Sequence, residues 1–421
     1  MSEVLVFADW EEFEVPALVG VLRQSVIRHK EHFSFRYDDA WLASEHVTAI
    51  DPDLALYQSD QHADGDNNFR TFLDSCPDRW GRTLMQRREA ILARQEGREN
   101  HRLTSIDYLL GVHDSYRMGG LRFKVDPEGP FLNNLDELAA PPISTLRELE
   151  HAAMRVQDSD NDTDPAMARW LGMLISPGSS LGGSRPKASV RDERQELWIA
   201  KFPASNDGYD VAAWEYVVHC LALEAGIDMA PCRIEDFGSQ HHSFLTKRFD
   251  RTPASRLHFS SAMTQLRYYD GQSEGASYLE LAEFLTKTGG NVSRDLPQLW
   301  RRIVFNVAVS NTDDHLRNHG FLLTPSGWVL SPAYDINPVA DGPLGLTLNI
   351  DEHDNSLDFD LAMTVARYFQ LSDEKALSIL NEVVRAVSKW RQKAAELGLS
   401  SSEQDRMARA FRLVEGVRWG R

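Results

Sequence analysis

The sequence predicts an α+β fold with more than one domain. Its 421 residues exceed the usual domain size of about 100–200 residues, and 42% of them are apolar against 26% charged. Short β-branched and aromatic runs precede longer segments whose apolar residues recur at helical spacing. This composition is typical of a globular protein with hydrophobic cores, and it excludes a chain dominated by disorder.

The charge and cysteine content narrow the class of protein. With 45 Lys and Arg against 63 Asp and Glu, the net charge of −18 repels nucleic acid and anionic membranes, so any DNA contact needs a partner or a local basic patch. Three cysteines without a C-x-x-C pair indicate a reducing compartment rather than a disulfide scaffold or a zinc site. The N-terminus resembles no signal peptide and no apolar run reaches about 18 residues, which predicts a cytoplasmic protein.

The sequence pattern predicts three domains along the chain. Residues 4–7 and 17–22 predict a hairpin that opens a small mixed α/β domain, and residues 77–98 predict a basic amphipathic helix. Pro141-Pro142 marks a boundary. We therefore expect an N-terminal domain over 1–140, a second domain over 141–250 and a helical third domain over 251–421.

A glycine- and serine-rich loop covers residues 178–187 and precedes a predicted strand at 197–202. Glycines allow backbone N–H groups to approach phosphate oxygens, although the spacing excludes a Walker-type loop. Lys201 is a lone cation in that apolar strand, where protein kinases place the lysine that holds nucleotide phosphates. A lysine on a sheet edge is the alternative. The following helix carries Glu215, for which two interpretations stay open: a pair with Lys201, or the commoner solvent-facing glutamate.

The strongest signal is a polar loop directly after a predicted buried helix at residues 299–310. Asp313 and Asn318 have the spacing of the Asp and Asn in a kinase catalytic loop, and Asp335 follows the next predicted hairpin, as the metal-binding Asp does. These residues and Lys201 predict phosphoryl transfer from a Mg²⁺-bound nucleotide. We expect His315 to support the loop.

The loop has other interpretations. A capped helix followed by an Asx-rich turn explains Asn311 and Thr312 but leaves the later acids without a role. A metal-only hydrolase uses the same side chains but leaves Lys201 without one. Within the loop, we expect Asp314 to face solvent.

Taken together, these motifs resemble the HipA family of bacterial serine/threonine kinases, the toxins of type II toxin–antitoxin pairs. The resemblance rests on Lys201 and on segments 180–187, 247–251, 312–318 and 332–335. Shorter matches, among them Asp78-Arg79-Trp80-Gly81-Arg82, extend it to the N-terminal domain. It implies a protein-kinase-like bilobal fold with ATP and Mg²⁺ as cofactors.

The resemblance also implies roles for individual residues. Asp313 corresponds to the catalytic base, with His315 in support, and Asn318 and Asp335 to the Mg²⁺ ligands. Ser180 corresponds to a serine that is autophosphorylated. The residues it places around ATP are Ser180, Gly182, Gly183, Lys201, Lys247, Phe249, Asp250 and Asp335. Among these it places Lys247 and Phe249 beside the adenine, through backbone groups, and Asp250 near the ribose.

The implied partners are a helix-turn-helix antitoxin of the HipB type and a protein substrate, with an aminoacyl-tRNA synthetase as the expected class. DNA is then reached only through the antitoxin. Arg317 stands where the family usually has Lys, and segment 256–262 departs from the usual pattern, which leaves the choice of substrate open. The alternative is a catalytically idle co-repressor that acts by binding its antitoxin.

Overall fold

The computed structural model describes residues 2–135, 138–158, 167–175, 183 and 185–415. Their contacts form two compact units. Unit 1 comprises Met1–Asn206 and Lys247–Ser260, and unit 2 comprises Asp207–Thr246 and Ser261–Arg421. Ser180 and Gly182 lie outside the described residues. The domain boundaries at residues 140 and 250 stay predictions.

Unit 1 opens with a five-stranded sheet in the order β4-β3-β2-β1-β5. Along β1 the buried residues Val4, Val6 and Ala8 alternate with more exposed ones, as expected for a sheet with one face on the core. The antiparallel pairing of β1 with β2 confirms the predicted hairpin. The strands are β1 Ser2–Ala8, β2 Ala17–Ile27, β3 Lys30–Tyr37, β4 Gln61–His62 and β5 Leu121–Lys124.

Six helices and a second hairpin complete the regular structure described in unit 1. The predicted basic helix is confirmed as α3, which Asp78 caps at its first turn and Gly97 ends with a φ of 67°. Helices α5 and α6 pack against each other. The elements are α1 Asp39–Leu42, α2 Arg70–Asp74, α3 Arg79–Glu96, α4 Ser105–Gly111, α5 Leu146–Asp158, α6 Met167–Ile175, β6 Lys187–Arg191 and β7 Leu197–Lys201.

Unit 2 is mainly helical. It contains the antiparallel hairpins β8–β9 and β11–β12, and β10 crosses its boundary with unit 1. The helices are α7 Val211–Glu224, α8 Ala262–Gln265, α9 Tyr278–Thr288, α10 Val292–Val309, α11 Phe359–Val365, α12 Asp373–Val387, α13 Trp390–Glu396 and α14 Ser401–Met407. The strands are β8 Cys232–Glu235, β9 Ser243–Lys247, β10 Phe259–Ser261, β11 Gly320–Thr324 and β12 Gly327–Leu330.

Helix α10 is the centre of the unit 2 core and confirms the predicted buried helix, although it begins seven residues earlier, at Val292. Leu299, Trp300 and Ile303 have no exposed surface. The helix packs against α9, α11 and α12. Because α10 is buried on most of its surface, the loop that leaves its C-terminal end starts from a rigid position.

Among the described residues, no helix combines the length and the apolar character needed to cross a lipid bilayer.

We expect Leu299→Ala to lower the free energy of unfolding by about 2–5 kcal/mol, because it leaves a cavity where the side chain is fully buried. Leu377→Ala is the matched control, since Leu377 on α12 is 46% exposed and its loss should cost less than about 1 kcal/mol. Urea unfolding followed by tryptophan fluorescence measures both. Equal losses in the two variants would contradict the central position of α10.

Candidate active site

The polar loop begins where α10 ends. Ser310 adopts a left-handed conformation with a φ of 51° and terminates the helix. A single 3₁₀ turn, Leu316–Asn318, then closes the loop, and the Asn318 backbone N–H donates to the His315 carbonyl at 2.8 Å. The Asn318 side chain donates from Nδ2 to the Asp313 carbonyl oxygen at 3.1 Å. The two residues with kinase-like spacing are therefore joined to each other within one turn.

Asp314 is buried, so the expectation that it faces solvent is wrong. Its side chain is 3% exposed, and its Oδ2 accepts hydrogen bonds from the Tyr278 hydroxyl, from Asn306 Nδ2 at 2.7 Å and from His319 Nε2 at 2.8 Å. These donors come from the start of α9, from α10 and from the residue before β11. The network holds the middle of the loop to three elements of the unit 2 core.

The protonation of Asp314 follows from this network. Burial raises the pKa of a carboxyl group, but the charge of His319 and the hydrogen bonds from His319 and Tyr278 bring the pKa of Asp314 below its usual value. The carboxylate is consequently ionised at neutral pH, and its neighbours compensate the charge.

The adjacent Asp313 has the opposite environment. Its side chain is exposed, and it lies close enough to Asp335 for the two charges to interact. Partial desolvation raises the pKa of the Asp313 carboxyl, His315 lowers it, and the negative charges of Asp335 and Asp314 raise it again, with a net upward shift. Two neighbouring acids in one loop thus have pKa values shifted in opposite directions, a pattern found at catalytic sites.

Asp335 reaches the loop through the segment after β12. The buried Arg302 on α10 donates from Nη2 to the Ser331 carbonyl at 2.5 Å, and the Asn337 backbone N–H donates to Asn311 Oδ1 at 3.4 Å. The backbone of Asp335 has a φ of 57°, which non-glycine residues rarely adopt and which Asp and Asn tolerate best. Such conformations cluster at functional sites, where surrounding contacts enforce them.

The oxygen atoms here suit a magnesium ion. Asn318 Oδ1 and Asn337 Oδ1 are both buried and accept no hydrogen bond from the protein, a costly arrangement unless a ligand compensates it. Asn337 Nδ2 also donates to Asp335 Oδ1 at 3.3 Å. Mg²⁺ prefers carboxylate and carbonyl oxygens over nitrogen or sulfur. The donor set therefore fits the implied metal.

Sequence reasoning missed Asn337, although an Asn two residues after Asp335 was a usable signal. Across the described part of the chain, no group of three or more His, Cys, Asp or Glu side chains is placed to hold a metal ion. Asn337 places an amide group beside the Asp335 carboxylate.

His315 and Arg317 are the basic side chains of the loop. His315 is half-buried, its Nδ1 has no hydrogen-bond partner, and its charge lowers the pKa of Asp313. Arg317 forms an ion pair with Asp270 at 3.4 Å, and its carbonyl accepts a hydrogen bond from the Tyr334 hydroxyl at 2.7 Å. The Tyr334 contact links the loop to the residue next to Asp335, and a supporting role for His315 stays a prediction.

The predicted phosphate-binding residues that the structure describes lie in unit 1. Lys201 is the last residue of β7, is 8% exposed and stands opposite Lys187 in the β6–β7 hairpin. Gly183, at the end of the glycine-rich segment, is exposed. Glu215 is buried within α7 of unit 2, and its pairing with Lys201 stays a prediction.

Lys247 and Phe249, the two residues expected to border the adenine, lie at the end of β9 and in the connector that follows it, next to β7. The Lys247 ammonium pairs with Glu196 at 2.7 Å, and the half-buried ring of Phe249 lies 6.0 Å from that of Phe259. Between them, the Arg248 backbone N–H donates to the Leu197 carbonyl at 2.9 Å. This hydrogen bond fixes the connector alongside the start of the strand that carries Lys201.

Asp250 has no exposed surface, and both of its carboxylate oxygens accept hydrogen bonds from neighbouring residues. Arg248 donates to Oδ1 at 2.8 Å, while Arg251 at 2.6 Å and the Gly119 backbone N–H at 2.8 Å donate to Oδ2. Burial alone would raise the pKa of Asp250, but the two arginines hold it at about 2. This geometry favours a structural role, and contact of Asp250 with a ribose stays a prediction.

Comparison with known proteins identifies the family of this chain. The sequence profile of the HipA-like C-terminal domain matches residues 179–391, half of the chain. The chain belongs to this HipA-like family. The matched region contains Lys201, the polar loop and Asp335, so the resemblance predicted from these motifs is confirmed.

Curated relatives are named as kinases. Putative kinase Y4dM of Sinorhizobium fredii is 26% identical over 261 residues, covering 56% of this chain and 58% of the relative. A protein of Haemophilus influenzae named Putative kinase is 27% identical over 187 residues, covering 39% and 54% respectively. The chain thus matches a little over half the length of these relatives.

A solved structure confirms the predicted fold class. The Shewanella oneidensis HipA chain, solved in a complex of HipA, HipB and operator DNA, aligns with a TM-score of 0.64 and 19% identity over 97% of this chain and 95% of that one. The mixed α/β architecture is therefore a HipA-like, kinase-like fold along nearly the whole chain.

We expect Asp314→Asn to lower the free energy of unfolding by about 3–5 kcal/mol at neutral pH, because the buried network loses its anion. The folded-state pKa of Asp314 lies below the value of about 3.9 in an unfolded chain, so its stabilisation is complete above about pH 4 and is lost as the pH falls further. The difference between wild type and variant should therefore shrink below about pH 4.

Urea unfolding between pH 3 and pH 7 measures this difference. Asp405→Asn is the control, since Asp405 is 73% exposed and pairs only at the surface with Arg391. A difference for Asp314→Asn that stayed constant over the whole pH range would show that the buried charge does not stabilise the loop.

Proposed function

We propose that this chain is an ATP- and Mg²⁺-dependent kinase that phosphorylates a serine or threonine hydroxyl of a protein. One observation carries the proposal. The exposed carboxylate of Asp313 interacts with that of Asp335, while Asn318, bonded to the Asp313 backbone, keeps a buried amide oxygen without a partner. A base and metal-binding oxygens on one rigid loop are what phosphoryl transfer requires of a protein.

Asp313 acts as the base in this proposal. It accepts the proton of the attacking hydroxyl, and its raised pKa makes it a stronger base than a fully solvated aspartate. His315 supports the loop and limits that shift. Asp314 takes no part in the proton transfer, because its carboxylate is committed to the buried network.

Asn318 and Asp335 would hold Mg²⁺, and Asn337 offers a further amide oxygen next to them. When bound, the ion neutralises charge on the phosphate oxygens of the nucleotide. The left-handed backbone of Asp335 and the 3₁₀ turn at Asn318 keep these side chains in place before the nucleotide arrives.

The nucleotide phosphates are assigned to Lys201 and to the glycine-rich segment, including Ser180, Gly182 and Gly183. Backbone groups at Lys247 and Phe249 are assigned to the adenine. We also propose that Ser180 is autophosphorylated, which would place a charge of about −1.5 to −2 at the phosphate site and disfavour ATP by repulsion.

The proposed partners follow from the family. The Shewanella HipA chain was solved with HipB and operator DNA. We therefore propose a HipB-like helix-turn-helix antitoxin as the partner, with DNA reached only through it, in keeping with the net charge of −18. A translation component such as an aminoacyl-tRNA synthetase, phosphorylated in the cytoplasm, is the proposed target.

We expect phosphatase-treated wild-type chain to gain about 80 Da, one phosphoryl group, after incubation with ATP and Mg²⁺. The gain should disappear in Asp335→Asn, because the variant loses a metal-binding carboxylate, and in Ser180→Ala, because it loses the acceptor. Intact mass spectrometry measures the adduct. Asn tolerates the left-handed backbone of residue 335, so the substitution preserves the loop.

The surface variant Asp405→Asn makes the same change of charge and should be labelled like wild type. Labelling of Asp335→Asn at the wild-type rate would contradict the assigned metal site. A wild-type chain that gains no mass under any of these conditions would favour the idle co-repressor. Labelling of Ser180→Ala would move the modification to another residue and leave the kinase assignment intact.

A further inference from the structure

A buried ion pair in unit 1 joins two distant parts of the sequence. Lys187, the last residue of the glycine-rich segment and the first of β6, places its ammonium 2.5 Å from Asp78 Oδ2. The side chains are 2% and 5% exposed. Removing two charges from water is costly, so a pair this deeply buried indicates a specific arrangement rather than a solvated surface contact.

Each partner of the pair has a second contact. The Lys187 ammonium also donates to the carbonyl oxygen of Gly183 at 2.8 Å, the last glycine of the glycine-rich segment. Asp78 Oδ1 accepts from the Gly81 backbone N–H at 2.8 Å and caps α3. The contacts form a continuous chain from the first turn of α3 through Asp78 and Lys187 to Gly183.

Trp80 adds an independent contact at the same place. Its indole Nε1 donates to the Lys187 carbonyl oxygen at 3.2 Å in a buried position. The start of α3 therefore holds both the side chain and the backbone of Lys187.

Lys187 also lies opposite Lys201 in the antiparallel register of β6 and β7. Side chains at opposed positions of adjacent strands lie on the same face, and like charges there repel. Asp78 compensates the charge of Lys187, so the two lysines can share this face of the hairpin. Lys201 is the residue assigned to the nucleotide phosphates in the proposed function.

We propose that Asp78 is a positioning residue of the nucleotide site. By pairing with Lys187 it holds the end of the glycine-rich segment at Gly183 and offsets the like charge opposite Lys201. This inference rests on the proposed kinase function and adds a residue that lies outside the family domain at residues 179–391. The N-terminal part of the chain is then required for ATP binding.

The same N-terminal part also holds the connector after β9. Gly119 donates its backbone N–H to Asp250, and the Arg248 guanidinium donates from Nη1 to the Tyr116 carbonyl at 2.5 Å. Contacts at two places thus join segment 78–119 to the regions assigned to the phosphates and to the adenine. The contacts at both places are consistent with a positioning role for this segment.

The test compares ATP use in Asp78→Asn with that in wild type. Asparagine retains an oxygen that can cap α3, so the substitution removes the charge that faces Lys187 while keeping the helix start. We expect KM for ATP to rise about tenfold or more, with kcat at saturating ATP changed less than about threefold. ATP binding by calorimetry, without turnover, should weaken by the same factor.

The double variant Asp78→Asn/Lys187→Met keeps the test decisive if the single variant fails to fold. It replaces the pair with uncharged side chains, which buried sites often accept without loss of stability. It also removes the bond to Gly183, so its KM for ATP should rise at least tenfold while its unfolding temperature stays near that of wild type.

Asp60→Asn is the matched control in the same part of the chain. Asp60 pairs with Arg23 at 3.0 Å at the surface, with side chains 48% and 23% exposed, and its loss should leave KM for ATP unchanged. Wild-type ATP affinity in Asp78→Asn or in the double variant would overturn the inference and leave the kinase assignment standing. A wild-type chain that binds no ATP would overturn the proposed function and this inference with it.

Discussion

The buried carboxylate of Asp314 is the constraint on which the candidate site depends. An unpaired charge in the core of unit 2 would be prohibitively unstable, so the loop must adopt the conformation in which Tyr278, Asn306 and His319 all donate to it. That conformation leaves the neighbouring Asp313 exposed. Burial of one acid thereby determines the position of the other.

The same principle sets the position of Asp335. Helix α10 supplies the start of the loop and, through Arg302, a contact to the strand end that leads to Asp335. The strained backbone of Asp335 persists because contacts on both sides over-determine it. Hydrogen bonds to α10 and to the residues after its C-terminal end hold the segments that carry Asn318 and Asp335. Rigid placement of this kind lets a catalytic loop bind charged ligands without first paying the entropy of ordering.

Unit 1 uses buried charges for a different purpose. The Asp78–Lys187 pair and the cluster of Asp250 with Arg248 and Arg251 each join residues of the N-terminal part to segments assigned to the nucleotide. Asp78 and Lys187 are 109 positions apart in sequence, and Gly119, which donates to Asp250, is 131 positions from it. Desolvation offsets much of the attraction within such pairs, whereas loss of one partner leaves an uncompensated buried charge. The N-terminal part is therefore integral to unit 1 rather than an appended module.

The sequence by itself determined the fold class, the buried helix α10 and the loop with kinase-like spacing, because these follow from local periodicity and from short motifs. Only the tertiary structure decided that Asp314 is buried, that Asn337 accompanies Asp335 and that Lys187 pairs with Asp78. A polar residue in a loop carries no local mark of burial, since its environment is set by elements distant in sequence. Charge and spacing predicted candidate site residues, whereas packing decided which carboxylates stay exposed and which are buried in the fold.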